Sequence, residues 1–183
     1  MKRILPVILF LLSLLATGTQ GWCQDEDQGL RTVGARIGWM ATARNSYIHQ
    51  YDAFFDYGLP WSVRNKDGWG LAMQLKGSLG ALHGAGETGF IGAVGPGVVF
   101  DKAGGKGVVI ELGGDANFLS RDNFGWVDLD GHVLWDGHIG ISYRFAAGPG
   151  IGYQFQHMSN GGLNGHINTG LDLHMLLVTW SLH

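Results

Sequence analysis

Two residues near the C-terminus have the types and spacing to do chemistry. His157 and Ser159 occupy alternate positions of the run Ile151-Gly-Tyr-Gln-Phe-Gln-His-Met-Ser-Asn160. A serine hydroxyl is a poor nucleophile until a base takes its proton, and the usual base is a histidine oriented by a carboxylate. In a strand, residues two apart share a face and lie about 6.6 Å apart along the backbone. Side chains leaning along the strand can close that gap. The pair therefore reads as the start of an acyl-transfer centre, a serine esterase, that still needs an acid. Asp172 supplies one if the last two strands form a hairpin with Ser159 opposite Gly170 and His157 opposite Asp172. Directly paired residues have side-chain roots about 5 Å apart, and a slip of one residue would turn Asp172 to the other face. Asn160, the backbone of Gly161 and Gly162, and Asn168 are close enough in sequence to serve a developing oxyanion.

The strand that carries this pair has an unusual division of polarity. Ile151, Tyr153, Phe155, His157 and Ser159 form one row; Gly152, Gln154, Gln156 and Met158 form the other. A membrane barrel turns its greasy row to lipid and keeps the polar row inside. On that reading His157 and Ser159 are polar groups aimed at lipid, where an enzyme that attacks a lipid would need them. In the favoured register the outward row of the last strand is Asp172, His174, Leu176, Val178 and Trp180.

The rest of the chain supports the same architecture. The 183 residues begin with Lys2 and Arg3, an apolar run from Ile4 to Ala16 and small residues to Gly21. This is the pattern of a secretory signal over residues 1–23, with cleavage near Gly21–Cys23, followed by one domain over 24–183. Cys23 is the only cysteine, which excludes an internal disulfide. Removing the signal leaves ten basic against fifteen acidic residues, a net −5, and no basic stripe for nucleic acid. Thirty-two glycines without a collagen triplet, together with abundant aromatics, suit a barrel rather than a disordered chain. No segment of the mature chain has a helical period of convincing length.

Eight segments read as strands: 32–41, 51–59, 69–79, 88–100 (with Pro96 marking a bend or bulge), 108–118, 133–145, 150–159 and 168–181. Turn-like clusters separate them, and together they use the length available. The expected fold is all-β, an eight-stranded antiparallel transmembrane β-barrel of outer-membrane type. With the N-terminus in the periplasm, the seventh strand runs outward and delivers His157 and Ser159 to the outer surface. Glu111 and Asp115, with Arg36, Lys76 or Arg144, are candidates for an ion network inside. The seven tryptophans suit interfacial girdles or packing equally. The scattered histidines, His166 and His174 included, lack tight zinc spacing, and Asp128 and Asp130 lack the remaining ligands of a calcium loop. No metal or cofactor is expected.

The motif His157-Met-Ser-Asn160, then Gly162-Leu163, then Asn168-Thr-Gly-Leu-Asp172 resembles the lipid A 3-O-deacylase (PagL) family. The stretch Tyr51-Asp-Ala-Phe-Phe-Asp-Tyr-Gly-Leu-Pro-Trp61 is similar to the family's second strand. The resemblance implies an outer-membrane barrel that hydrolyses the ester-linked 3-hydroxyacyl chain at position 3 of lipid A in the outer leaflet. It implies Ser159 as nucleophile, His157 as base and Asp172 as orienting acid, with Asn160, Gly162 and Asn168 shaping the oxyanion site. The family's usual acid is glutamate, where this chain has aspartate. A homodimer is compatible with this reading.

Two other classes stay open at this point. A non-catalytic barrel that kept the fold predicts no mass loss in lipid A. A soluble lipocalin-like carrier predicts extraction without detergent and an apolar interior.

Overall fold

A computed structural model of the chain describes residues 28–41, 47–162 and 170–182. The signal segment and Asn168 lie outside the described residues. Alternating sequences form the long strands β1 (Gly29–Met40), β2 (Ile48–Arg64), β3 (Trp69–Gly84) and β4 (Glu87–Lys102). Then come β5 (Gly107–Gly113) and β6 (Ala116–Leu119), a small hairpin of β7 (Asn123–Phe124) and β8 (Val127–Asp128), and the strands β9 (Val133–Arg144), β10 (Pro149–Ser159) and β11 (Leu171–Ser181).

Neighbouring strands pair antiparallel, and β11 returns to pair with β1. The sheet closes on itself as an eight-staved barrel, β5 and β6 together making the fifth stave between β4 and β9. Closure removes the sheet edges that lipid could not satisfy. The expected single strand over 108–118 is thus interrupted at Gly114 and Asp115. The break lies beside Pro96, which has no N–H to donate to the ladder, and beside Gly95, where a Cβ would fall 2.1 Å from the Gly114 carbonyl oxygen. The expected irregularity of the fourth stave therefore appears in its neighbour, while β4 pairs with β3 without a shift through Leu75↔Pro96.

The outer wall is apolar. Leu79, Phe90, Leu112, Ile139, Ile141, Ile151, Leu176 and Val178 all expose their side chains there. A lipocalin has the reverse arrangement. Inside, Arg36 Nε donates to Asp52 Oδ1 at 2.6 Å, and Lys76 is paired with Glu111 and with Asp56, the latter at 3.7 Å. Arg144 is not part of this central network. With Arg31 and Arg64 it surrounds the buried Asp101 near the short-turn end, at 2.8 to 3.1 Å.

The lumen is not polar throughout. Toward the loop end Met40, Ile48, Leu82, Ile91, Met158, Leu171 and Leu173 face inward and pack with Phe124, Val127 and Leu129 of the β7–β8 region. This apolar plug closes the barrel beneath the loops and gives the loop-end half of β10 and β11 a firm backing.

Candidate active site

The site lies on the outer wall, where β10 ends and β11 begins. β10 exposes Ile151, Tyr153 and His157 while Gln154, Gln156 and Met158 are buried, which is the alternation expected from its sequence. The Gln154 and Gln156 amides hold the strand from within. Gln154 Oε1 accepts from Arg36 Nη1 at 3.3 Å and Gln156 Nε2 donates to Asp136 Oδ2 at 3.2 Å. Across the hairpin, β11 pairs with β10 so that His157 lies opposite Asp172 and Phe155 opposite His174. On its other side β10 pairs with β9, with Ser159 opposite Trp135.

The direct pairing puts imidazole and carboxylate in contact. His157 Nδ1 and Asp172 Oδ1 are 2.6 Å apart, both side chains facing outward and 55% and 42% exposed. An ionised carboxylate only accepts, so Nδ1–H donates and Nε2 keeps its lone pair. The shorter reach of aspartate is met because the two residues are direct cross-strand partners. Such a contact fixes the ring's orientation and tautomer, as a base requires.

Ser159 is the last residue of β10, two positions beyond His157 on the same outward row and half-buried. The strand rise separates the two backbones by about 6.6 Å. Gly170 precedes β11 with φ +55, and a Cβ there would fall 3.1 Å from His157 Cε1. The lack of a side chain at this position leaves room for the imidazole. Gly170 stands two residues before Asp172 and has no polar side chain to mark it in the sequence.

The structure places Asn160 differently from its outward neighbours. Its side chain is buried; Nδ2 donates to the Asp130 carbonyl at 3.4 Å, and Oδ1 accepts from the Gly162 backbone N–H at 2.8 Å. Asn160 thereby ties the start of the β10–β11 loop to the segment after β8 and shapes the turn through Gly161 and Gly162, both at positive φ.

A second polar contact, not anticipated from the sequence, lies on the same wall. Tyr153 Oη and His174 Nδ1 are 2.6 Å apart. The His174 ring also lies 6.1 Å from that of Trp39 and 5.8 Å from that of Phe155.

Among the described residues, Asp115, Asp136 and His138 are the grouping that could hold a metal ion, with ligand atoms within 4.8 Å of one another. They are inside the lumen, on the opposite side of the wall from His157. Both ring nitrogens of His138 already face carboxylates, Nδ1 on Asp136 at 3.0 Å and Nε2 on Glu111 at 3.2 Å. That is the pattern of a hydrogen-bonded lumen histidine rather than of a ligand.

Comparison with known proteins gives the family and the fold. The model of the family described as lipid A 3-O-deacylase (PagL) matches residues 49–181. The crystal structure of the outer membrane enzyme PagL aligns with a TM-score of 0.69 and 21% identity, covering 82% of this chain and 99% of that one, a likeness of fold. The NanC porin in its rhombohedral crystal form aligns with a TM-score of 0.34 and 8% identity over 84% of this chain and 100% of its own; that likeness carries no argument. No curated protein matches the sequence. The family match extends over most of the barrel and includes both strands of the site hairpin. The chain belongs to the lipid A 3-O-deacylase (PagL) family, and is an outer-membrane β-barrel and a carboxylic ester hydrolase.

Proposed function

We propose that the protein is a serine esterase that removes the ester-linked 3-hydroxyacyl chain at position 3 of lipid A, with Ser159 as nucleophile, His157 as base and Asp172 as the acid that holds the base. The observation that carries this reading is the 2.6 Å contact of His157 with Asp172 on the lipid-facing wall, two residues from Ser159. Polar groups facing hydrocarbon are costly, and a hydrogen-bonded imidazole and carboxylate there suit work on a lipid. The loop end carries the site, and short turns close the other end; by the habit of such barrels the loops face the cell exterior, where lipopolysaccharide lies.

The proposed steps are those of a serine hydrolase. The Ser159 hydroxyl attacks the ester carbonyl and passes its proton to His157 Nε2. Asp172 stabilises the imidazolium through Nδ1–H. The tetrahedral intermediate collapses, the sugar oxygen leaves with the proton from Nε2, and the acyl chain stays on Ser159. Water, deprotonated by His157, then releases the 3-hydroxy fatty acid and restores the serine. Asn160, Gly162 and Asn168 are proposed to shape the oxyanion site: Asn160, buried with its amide on the Asp130 carbonyl, sets the turn, and the Gly162 N–H and Asn168 are the proposed donors. The Gly162 N–H is bonded to Asn160 Oδ1, so it can serve only if that contact exchanges when substrate enters.

Expression in an outer membrane followed by mass spectrometry of lipid A tests the function. Loss of one 3-hydroxyacyl chain from position 3 is expected with the unaltered protein and not with Ser159→Ala. Unchanged lipid A with the unaltered protein would favour the non-catalytic barrel.

A further inference from the structure

Lysines gather on one side of the short-turn end. The β2–β3 turn carries Lys66, β4 ends in Lys102 and the β4–β5 turn carries Lys106, all three exposed. The two turns are joined: the Ala103 N–H donates to the Gly68 carbonyl at 3.0 Å, and Trp69 pairs with Lys102. Asp67 is the one exposed acid on them, since Asp101 is turned inward among its arginines. None of the three lysines is paired with a carboxylate among the described residues. The turn between β9 and β10, Phe145-Ala-Ala-Gly148, carries no charge at all.

The wall directly beneath the lysines is apolar. The Trp69 and Phe100 rings stack with centroids 5.6 Å apart. Leu71, Phe100 and Ile110 are successive cross-strand partners on β3, β4 and β5, and all three are exposed. Aromatic rings at the margin of a barrel's apolar band mark the level of the lipid headgroups. The ammonium groups therefore stand at the headgroup level of the leaflet at this end, with hydrocarbon-facing side chains next to them. In the ring of staves β3 and β4 lie across the barrel from β10 and β11, two staves away in either direction. The patch is thus at the other end and on the other side from the His157–Asp172 contact, and a lipid held there is not the ester being cut.

We infer that Lys66, Lys102 and Lys106 bind the headgroup of an anionic phospholipid of that leaflet, with its chains along Leu71, Phe100 and Ile110. Three ammonium groups against one carboxylate attract a phosphodiester, and the apolar wall favours a lipid over a bare phosphate. Such a lipid ties the far side of the barrel to its leaflet while the site hairpin stays at the opposite surface.

The purified barrel in a nonionic detergent, mixed with phosphatidylglycerol or with phosphatidylcholine of the same chains, provides the test, with retained lipid counted by native mass spectrometry. Phosphatidylglycerol is expected to be preferred by about 25-fold, two net charges at about fivefold each. The preference should shrink as salt rises from about 0.05 to about 0.5 M. Lys66→Gln, Lys102→Gln and Lys106→Gln combined should abolish it while the circular dichroism of the barrel stays unchanged. Arg121→Gln removes a positive charge at the loop end and should leave the preference intact. Glycerophosphoglycerol, the headgroup without chains, should not compete. No preference in the unaltered protein, an undiminished preference in the triple variant, an equal loss in Arg121→Gln, or competition by the free headgroup would each overturn the inference.

Discussion

At the scale of single residues, the proposed catalysis depends on one ring nitrogen staying unprotonated and correctly aimed. Asp172→Asn keeps the size of the acid, but its amide can donate to Nδ1 and so favour the wrong tautomer. Release of 3-hydroxy fatty acid should fall by about 10³-fold or more, as in comparable serine hydrolases, with the barrel still folded. Asp172→Glu should retain substantial activity, since glutamate is the family's usual acid at this position. Gly170→Ala would set a Cβ 3.1 Å from His157 Cε1 and place alanine at φ +55. The backbone strain alone costs about 1 kcal/mol, and displacement of the ring should lower kcat about tenfold. Normal turnover by Gly170→Ala would mean that the ring has room to move without consequence.

At the scale of elements, the hairpin of β10 and β11 is held from behind, and the interior pairs decide how firmly. Lys76 is buried between Glu111 and Asp56. Lys76→Met would leave buried carboxylates without their cation and cost about 3–5 kcal/mol. Adding Glu111→Gln should recover part of that loss, and denaturant unfolding of the refolded barrel in detergent would measure both. Equal stability of Lys76→Met and the unaltered protein would contradict the pairing. At the loop end, Arg121 Nη1 lies 2.5 Å from Glu87 Oε1 and holds the Glu87 carboxyl below its ordinary value by hydrogen bond and charge. A lowered folded-state pKa gives stability that is present above the ordinary carboxylate range and lost as pH falls below it. Both side chains are exposed, so hydrogen exchange in the 120–132 loop should rise in acid without loss of the barrel.

At the scale of the whole molecule, faces were readable from sequence and boundaries less so. The period of two in β10 assigns every side chain from Ile151 to Ser159 to its side of the wall. Pairing with β10 then fixes the outward row of β11. The faces of β11 rest on that pairing because Leu173 to Val178 is apolar on both sides, apart from His174, and carries little alternation of its own. The same ambiguity concealed the plug: Leu171, Leu173, Met175 and Leu177 face the lumen although a polar interior was expected. The β7–β8 hairpin has strands of two residues, too short to show a period. The arginine triad around Asp101 joins residues up to 70 positions apart that no local pattern links. The contact of Tyr153 with His174 was hidden for the same reason, since it exists only once the hairpin register is set.

In the proposed reaction Ser159 is the hydroxyl made nucleophilic by the imidazole of His157. Covalent trapping addresses it most directly. The folded protein is treated with a lipid-like phosphonate that reacts with activated serines, then digested, and the modified peptide is identified by mass. A single adduct on Ser159 is expected, and none when His157 is replaced by alanine. An adduct on another residue, or equal labelling of Ser159 without His157, would contradict it.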